Sequence, residues 1–200
     1  RPDHQLGKKI LVPFAYQTEK SGLGPTDEIH PVLWYRRTFT LPESLQGRRV
    51  LLRFGAVDYK AVVYVNVHRM GSHIGGYTPF ALDVTNALCE GENDLCVRVE
   101  DQPDCTQPRG KQHWARGLMG CWYTPVSGIW QTVYMEAVGE ACMTRIHLTP
   151  DIDRHMATAE IALDRPAEEG MELEITVSFR EKVLRTVRTG VQDRTTRVPI

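Results

Sequence analysis

Apolar and polar residues alternate with a period of two through much of the chain, the spacing of strands whose side chains point to opposite faces. In Leu95-Cys96-Val97-Arg98-Val99-Glu100, Leu95, Val97 and Val99 share one face, and Met171, Leu173, Ile175, Val177 and Phe179 repeat the pattern over a longer run. Each such face calls for burial against an opposing sheet. Further strands are predicted over residues 34–40, 49–54, 61–67, 129–136, 145–149, 157–163 and 183–188. Between them lies turn chemistry: Leu41-Pro42-Glu43, Gly75-Gly76-Tyr77-Thr78-Pro79, Glu90-Gly91-Glu92-Asn93-Asp94 and Glu168-Glu169-Gly170. No long run carries helical spacing, although residues 83–88 are expected to make one helical turn with Asp83 or Thr85 capping its amides. Many short strands with punctuating turns make the chain all-β, with sandwich architecture.

The composition shifts near Val138-Gly139-Glu140, from a segment rich in aromatics and glycine to regular strands with little else. A boundary there gives one sandwich over 1–138 and a second unit over 139–200. The second is shorter than the ~100 residues of a complete immunoglobulin-like sandwich, so it is expected to be truncated. The full 200 residues leave no room for a large barrel enzyme in addition. With 24 basic against 25 acidic residues and a net charge of −1, there is no electrostatic footprint for nucleic acid or for an anionic membrane surface. No stretch reaches the ~20 apolar residues of a spanning helix, and Arg1-Pro2-Asp3-His4 does not open a secretion signal. The chain is therefore expected to be soluble, and a start at arginine points to a processed or trimmed chain. Its five cysteines are odd in number and never spaced as Cys-x-x-Cys. Reduced, packing thiols and a cytoplasmic setting are the expectation.

Cleavage of a glycosidic bond needs two carboxylates about 5 to 9.5 Å apart, flanking the bond. The adjacent Glu100-Asp101 is the most suggestive pair, but neighbouring strand residues point to opposite faces, so these read as strand-end or turn carboxylates. Asp58, between two predicted strands, reads as a buried turn cap bonded to its own backbone. His68 and His73 lack a third ligand at any defined spacing, so no metal site is expected. Nucleophile elbow, phosphate loop and dinucleotide fingerprint are all missing from the sequence. The segment from Arg109 to Trp130 differs, crowding Arg109, Lys111, Gln112, Trp114, Trp122 and Tyr123 into one long loop. Aromatic faces with planar polar groups suit a pyranose ring, whose C–H face stacks while its hydroxyls need donors and acceptors. Equally, Trp114 and Trp122 could plug the core beneath that loop.

Several stretches in order then carry a resemblance: Trp34-Tyr35-Arg36-Arg37-Thr38-Phe39, Leu52-Arg53-Phe54-Gly55-Ala56-Val57-Asp58-Tyr59, Val63-Tyr64-Val65-Asn66, Gly71 to Phe80, Asp83-Val84-Thr85, Gly91 to Leu95, and Ser127-Gly128-Ile129-Trp130-Gln131. Together they resemble the sugar-binding domain of glycoside hydrolase family 2, which includes β-galactosidases and β-glucuronidases. The resemblance implies a jelly-roll (galactose-binding-like) β-sandwich over 1–138, then the start of an immunoglobulin-like sandwich. It also implies a catalytic pair of glutamates in a later (β/α) barrel, the acid following an asparagine. No Asn-Glu dipeptide occurs here, so no catalytic residue is assigned. The implied partners are a carbohydrate, bound by the six loop residues named above, and the missing barrel of the same chain, with no cofactor and the oligomeric state open. Family members often place an acidic side chain a few residues before the Ser-Gly-Ile motif. Trp122 stands there in this chain and would offer stacking instead. A second departure is Asn66-Val67 where Asn-Gly is common; valine resists positive φ, so another turn geometry or a longer loop is expected. A free-standing carbohydrate-binding module and a structural spacer are the rival readings.

Overall fold

Side-chain alternation closes the first half of the chain into two facing sheets. The computed structural model describes residues 7–115, 120–191 and 193–200, and it divides into two units, Arg1–Ala137 and Val138–Ile200. In the first unit the strands are β1 (Val32–Thr40), β2 (Arg49–Phe54), β3 (Val57–Asp58), β4 (Lys60–Val65), β5 (His68–Ile74), β6 (Phe80–Asp83), β7 (Glu92–Glu100), β8 (Gly128–Ile129) and β9 (Val133–Val138). One sheet runs β1-β7-β4-β5, the other β6-β2-β9, and the short β3 and β8 pair separately. Register sets Tyr35 and Val63 either side of Val97, while Trp34 and Val62 flank Arg98. Inward residues therefore come from matching rows, and Val50, Leu52 and Phe54 of β2 meet Ala61, Val63, Val65, Val97 and Val99 in one core. Phe54 stacks on Phe80 with ring centroids 4.7 Å apart. Each such buried side chain contributes about 1.5–3 kcal/mol of transfer free energy. The expected helical turn forms as a 3-10 turn over Thr85–Ala87, with Asp83 Oδ1 accepting from the Thr85 amide at 3.2 Å.

Two details differ from the sequence reading. The single strand expected over 129–136 is split, because Trp130, Gln131 and Thr132 leave the ladder between β8 and β9. The strand expected over 61–67 ends at Val65, since Asn66 and Val67 form a two-residue turn that sets Val65 opposite His68. Both turn residues lie in the left-handed region, at φ 47° and 70°. The chain thus keeps the tight primed-type turn that valine was expected to exclude. Asn66 explains it: its Nδ2 donates to the Ala87 carbonyl at 2.9 Å and to Asn93 Oδ1 at 2.7 Å, and its Oδ1 accepts from the Asp94 amide at 2.8 Å. Those bonds offset the strain at Val67.

In the second unit β10 (Met143–Asp151), β11 (Met156–Leu163) and β14 (Thr195–Pro199) form one sheet in the order β10-β11-β14. The hairpin of β12 (Glu172–Phe179) and β13 (Lys182–Gly190) forms the other. Leu173, Ile175 and Val187 pack on a small core of Ala159, Ile161 and Val198. The alternation read from Met171 to Phe179 holds at Leu173 and Ile175, but Phe179, at the hairpin end, is exposed. Ile146 and Leu148 pair with Ile161 and Ala159 and so share their face. They remain 59% and 57% exposed. Among the described residues these five strands make a small two-sheet sandwich of the immunoglobulin-like kind.

Candidate functional site

β7 stops at Glu100, and the next residue turns into the protein. Glu100 pairs with Arg98 and with Lys60, whereas Asp101 is 4% exposed. The two carboxylates part company as the sequence reading required, yet Asp101 is more than a turn residue. One of its oxygens takes Arg109 Nη2 at 2.7 Å and the Gln107 side-chain amide; the other takes the Ser127 hydroxyl. Arg109 spends its remaining fork on the Asp104 carbonyl (Nε, 2.7 Å) and the Gln102 carbonyl. The cost of burying the ion pair is offset by these added bonds, which engage both Asp101 oxygens and Arg109 Nε and Nη2. Arg109 was expected to face a sugar; it is 7% exposed and ties the loop back onto its start at Asp101, which also holds Ser127 at the loop's far end.

Asp58 forms the second anchor. It sits in β3 opposite Gly128, not in a turn, and is 2% exposed. Its carboxylate accepts from Gln112 Nε2 at 3.2 Å and not from its own backbone, contrary to the turn-cap expectation. Burial, reinforced by the nearby Asp101 charge and only partly countered by the Gln112 bond and Arg109, raises its pKa to about 6. Gly76 closes over it: a Cβ there would come 2.5 Å from Asp58 Oδ1. Trp130 Nε1 donates to the Gly76 carbonyl at 2.8 Å, and Tyr77 lies edge-on to the Trp130 ring.

Gln112 joins these parts. Its Nε2 also donates to Tyr77 Oη at 3.0 Å, and its Oε1 accepts from the Val126 amide at 2.6 Å. Its backbone pairs in parallel with Tyr123, through His113 N to the Tyr123 carbonyl (2.9 Å) and Tyr123 N to the Lys111 carbonyl (2.7 Å). That pairing brings Trp114 and Trp122 together edge-to-face, with centroids 5.2 Å apart, and His113 packs on Trp114. Tyr123 is 66% exposed and Lys111 is exposed. The structure thus gathers Lys111, Trp114, Trp122 and Tyr123 in one loop cluster and turns Arg109 and Gln112 inward beneath it. Neither tryptophan belongs to the sandwich core. Residues 116–119 lie outside the described residues.

Sequence reasoning missed the supports. Ser127-Gly128-Ile129 is a latch: Ser127 bonds Asp101, and any Cβ on Gly128 (φ 90°) would collide with the Tyr35 hydroxyl. Tyr35 Oη accepts from the Ile129 amide at 3.4 Å, and burial pushes the phenol up to about 12. Gln17, 110 residues away, accepts from the Ser127 amide, while its own Nε2 is buried with no partner. It lines a cavity of ≈ 10 Å³ with Asp101, Arg109, His113 and Trp114, room for about one water. The signal for these supports was the glycines at 76 and 128, whose reason is visible only in three dimensions.

A jelly-roll sandwich carrying an anchored aromatic loop defines the class, an all-β sandwich domain. Residues 5–135 match the family described as "Glycosyl hydrolases family 2, sugar binding domain", and the chain belongs to that family. It is similar to a β-galactosidase from Thermoanaerobacter pseudethanolicus, 35% identical over 46% of this chain and 13% of the relative. It is likewise similar to a β-glucuronidase from Paenibacillus borealis, 36% identical over 45% of this chain and 15% of the relative. Among solved structures, the Bifidobacterium dentium β-glucuronidase matches with a TM-score of 0.70 and 20% identity, over 96% of this chain and 36% of the other. That likeness concerns the fold. The chain spans no more than 15% of the length of these two curated relatives.

Proposed function

We propose that this chain is the sugar-recognising front portion of a larger β-glycosidase, its loop at 109–126 forming one wall of a saccharide site. The reading is carried by the Trp114–Trp122 pair with exposed Tyr123 beside it, held out on a loop with two buried anchors. Aromatic rings held in place by buried bonds accept the C–H face of a pyranose at low ordering cost, and Lys111 supplies a donor for a hydroxyl. Lys111, Trp114, Trp122 and Tyr123 touch the sugar in this reading; Arg109 and Gln112 hold the loop.

The bond-breaking carboxylates come from residues outside this chain, in the (β/α) barrel of the same polypeptide. Both oxygens of Asp101 are occupied by Arg109, Gln107 and Ser127, and Asp58 is enclosed by Gln112 and Gly76. Neither can reach a substrate oxygen or an attacking water. The uncovered Ile146 and Leu148 and the greater length of the relatives support further polypeptide in the working enzyme. Trp122 in place of an acidic side chain makes stacking the loop's contribution. Free thiols at Cys89, Cys96, Cys105 and Cys121 fit a reducing, cytoplasmic setting.

The test uses the purified 200 residues with aryl β-glycosides and, separately, titration by methyl β-glycosides. No turnover and weak, millimolar binding that falls several-fold in Trp122→Ala and Tyr123→Ala is expected. Turnover by the chain alone, or binding indifferent to both substitutions, contradicts the reading. Micromolar binding would favour a free-standing carbohydrate-binding module.

A further inference from the structure

We infer that Gln112 is the positioning residue that sets the aromatic loop on the sandwich, and that it does so by capping the buried carboxylate of Asp58. One side chain here bridges three segments otherwise remote in sequence: β3 through Asp58, the Gly-Gly-Tyr turn through Tyr77, and the returning arm of the loop through Val126. Its neighbours Lys111 and His113 make the two backbone bonds to Tyr123. The approach of Trp114 to Trp122 therefore depends on where Gln112 is fixed. Asp101 and Arg109 secure the loop at its two ends, but the bonds that carry the aromatic arms run through Gln112.

Among the described residues, the Gln112 side chain bonds Asp58, Tyr77 and Val126, and Gln112 is the one side-chain donor to Asp58. The charged groups facing Asp58 are Asp101, which disfavours its ionised form, and Arg109, which favours it. Desolvation outweighs the Gln112 bond in setting its pKa near 6. A loop lifted away at Gln112 uncovers Asp58 to water and lets its pKa fall toward the ordinary 3.8. The seated loop thus holds the proton more tightly than the lifted one, so by linkage seating is most favoured below the ordinary 3.8, weakens as pH rises through about 6, and levels off beyond it. The other ionisable side chains packed around Gln112 are Tyr77, which accepts its Nε2, and His113, which lies on Trp114.

This inference depends on the sugar-binding reading only for its consequence, the presentation of the aromatic face. Its test is amide hydrogen exchange on the whole chain without saccharide, corrected for intrinsic rates, so its failure and that of the sugar reading are separable. In Gln112→Met the His113, Tyr123 and Val126 amides should lose protection by about tenfold or more, while Val97 and Val99 in β7 keep theirs. In the parent, protection of the same loop amides should fall several-fold as pH rises through about 6; in Asp58→Asn it should stay flat. Unchanged loop protection in Gln112→Met overturns the positioning role. A pH response that survives in Asp58→Asn belongs to another group and overturns the coupling. Should Gln112→Met lose protection throughout β7, the isosteric Asp58→Asn decides.

Discussion

Val67 occupies a position where glycine is the ordinary residue. Its φ of 70° places a β-branched side chain in the left-handed region, a conformation that costs about 1–2 kcal/mol relative to the right-handed one. The strain persists because Asn66 is fixed by three side-chain bonds to Ala87, Asn93 and Asp94. The side chain of Val67 is itself exposed, so little packing is lost on removing it. Val67→Gly should raise stability by about 1 kcal/mol, less the extra chain entropy of glycine when unfolded, read as an increase in Tm. A fall in Tm would mean that the valine side chain contributes contacts that outweigh its backbone strain.

At the level of elements, the loop between β7 and β8 is held by a buried ion pair, Asp101 with Arg109. Removing one member of a buried pair leaves the other uncompensated, at a cost of about 3–5 kcal/mol. Arg109→Met should lose roughly that much in chemical denaturation, and Asp101→Leu combined with Arg109→Met should lose less than Arg109→Met alone. A double variant no better than the single one would show that the partners Ser127, Gln107 and the two carbonyls matter more than the charge pair. Strands with clean alternation, β7, β11 and β12, were legible in the sequence because one face is more buried than the other. β3 and β8, two residues each, carry too little pattern to read. β5 escaped because Gly71 interrupts its alternation; a Cβ there would run into Leu82. The loop's composition announced its aromatics, but not its anchors. Asp58 lies 54 residues from Gln112 and Asp101 26 from Ser127, and no local period encodes bonds of that reach.

For the whole molecule, the account separates recognition from chemistry. The first unit belongs to the family 2 sugar-binding domain over residues 5–135, and its buried carboxylates serve as anchors. Arg109 and Gln112, expected from their chemistry to meet the sugar, face inward, while Trp114, Trp122, Tyr123 and Lys111 are the residues proposed to meet it. The most direct measurement is a residue-resolved NMR titration of the intact chain with a methyl β-glycoside. Shift changes should concentrate at Lys111, Trp114, Trp122 and Tyr123 and leave the outer sheet face at Trp34 and Tyr64 undisturbed. Changes centred on Trp34 and Tyr64, with the loop silent, would contradict the account.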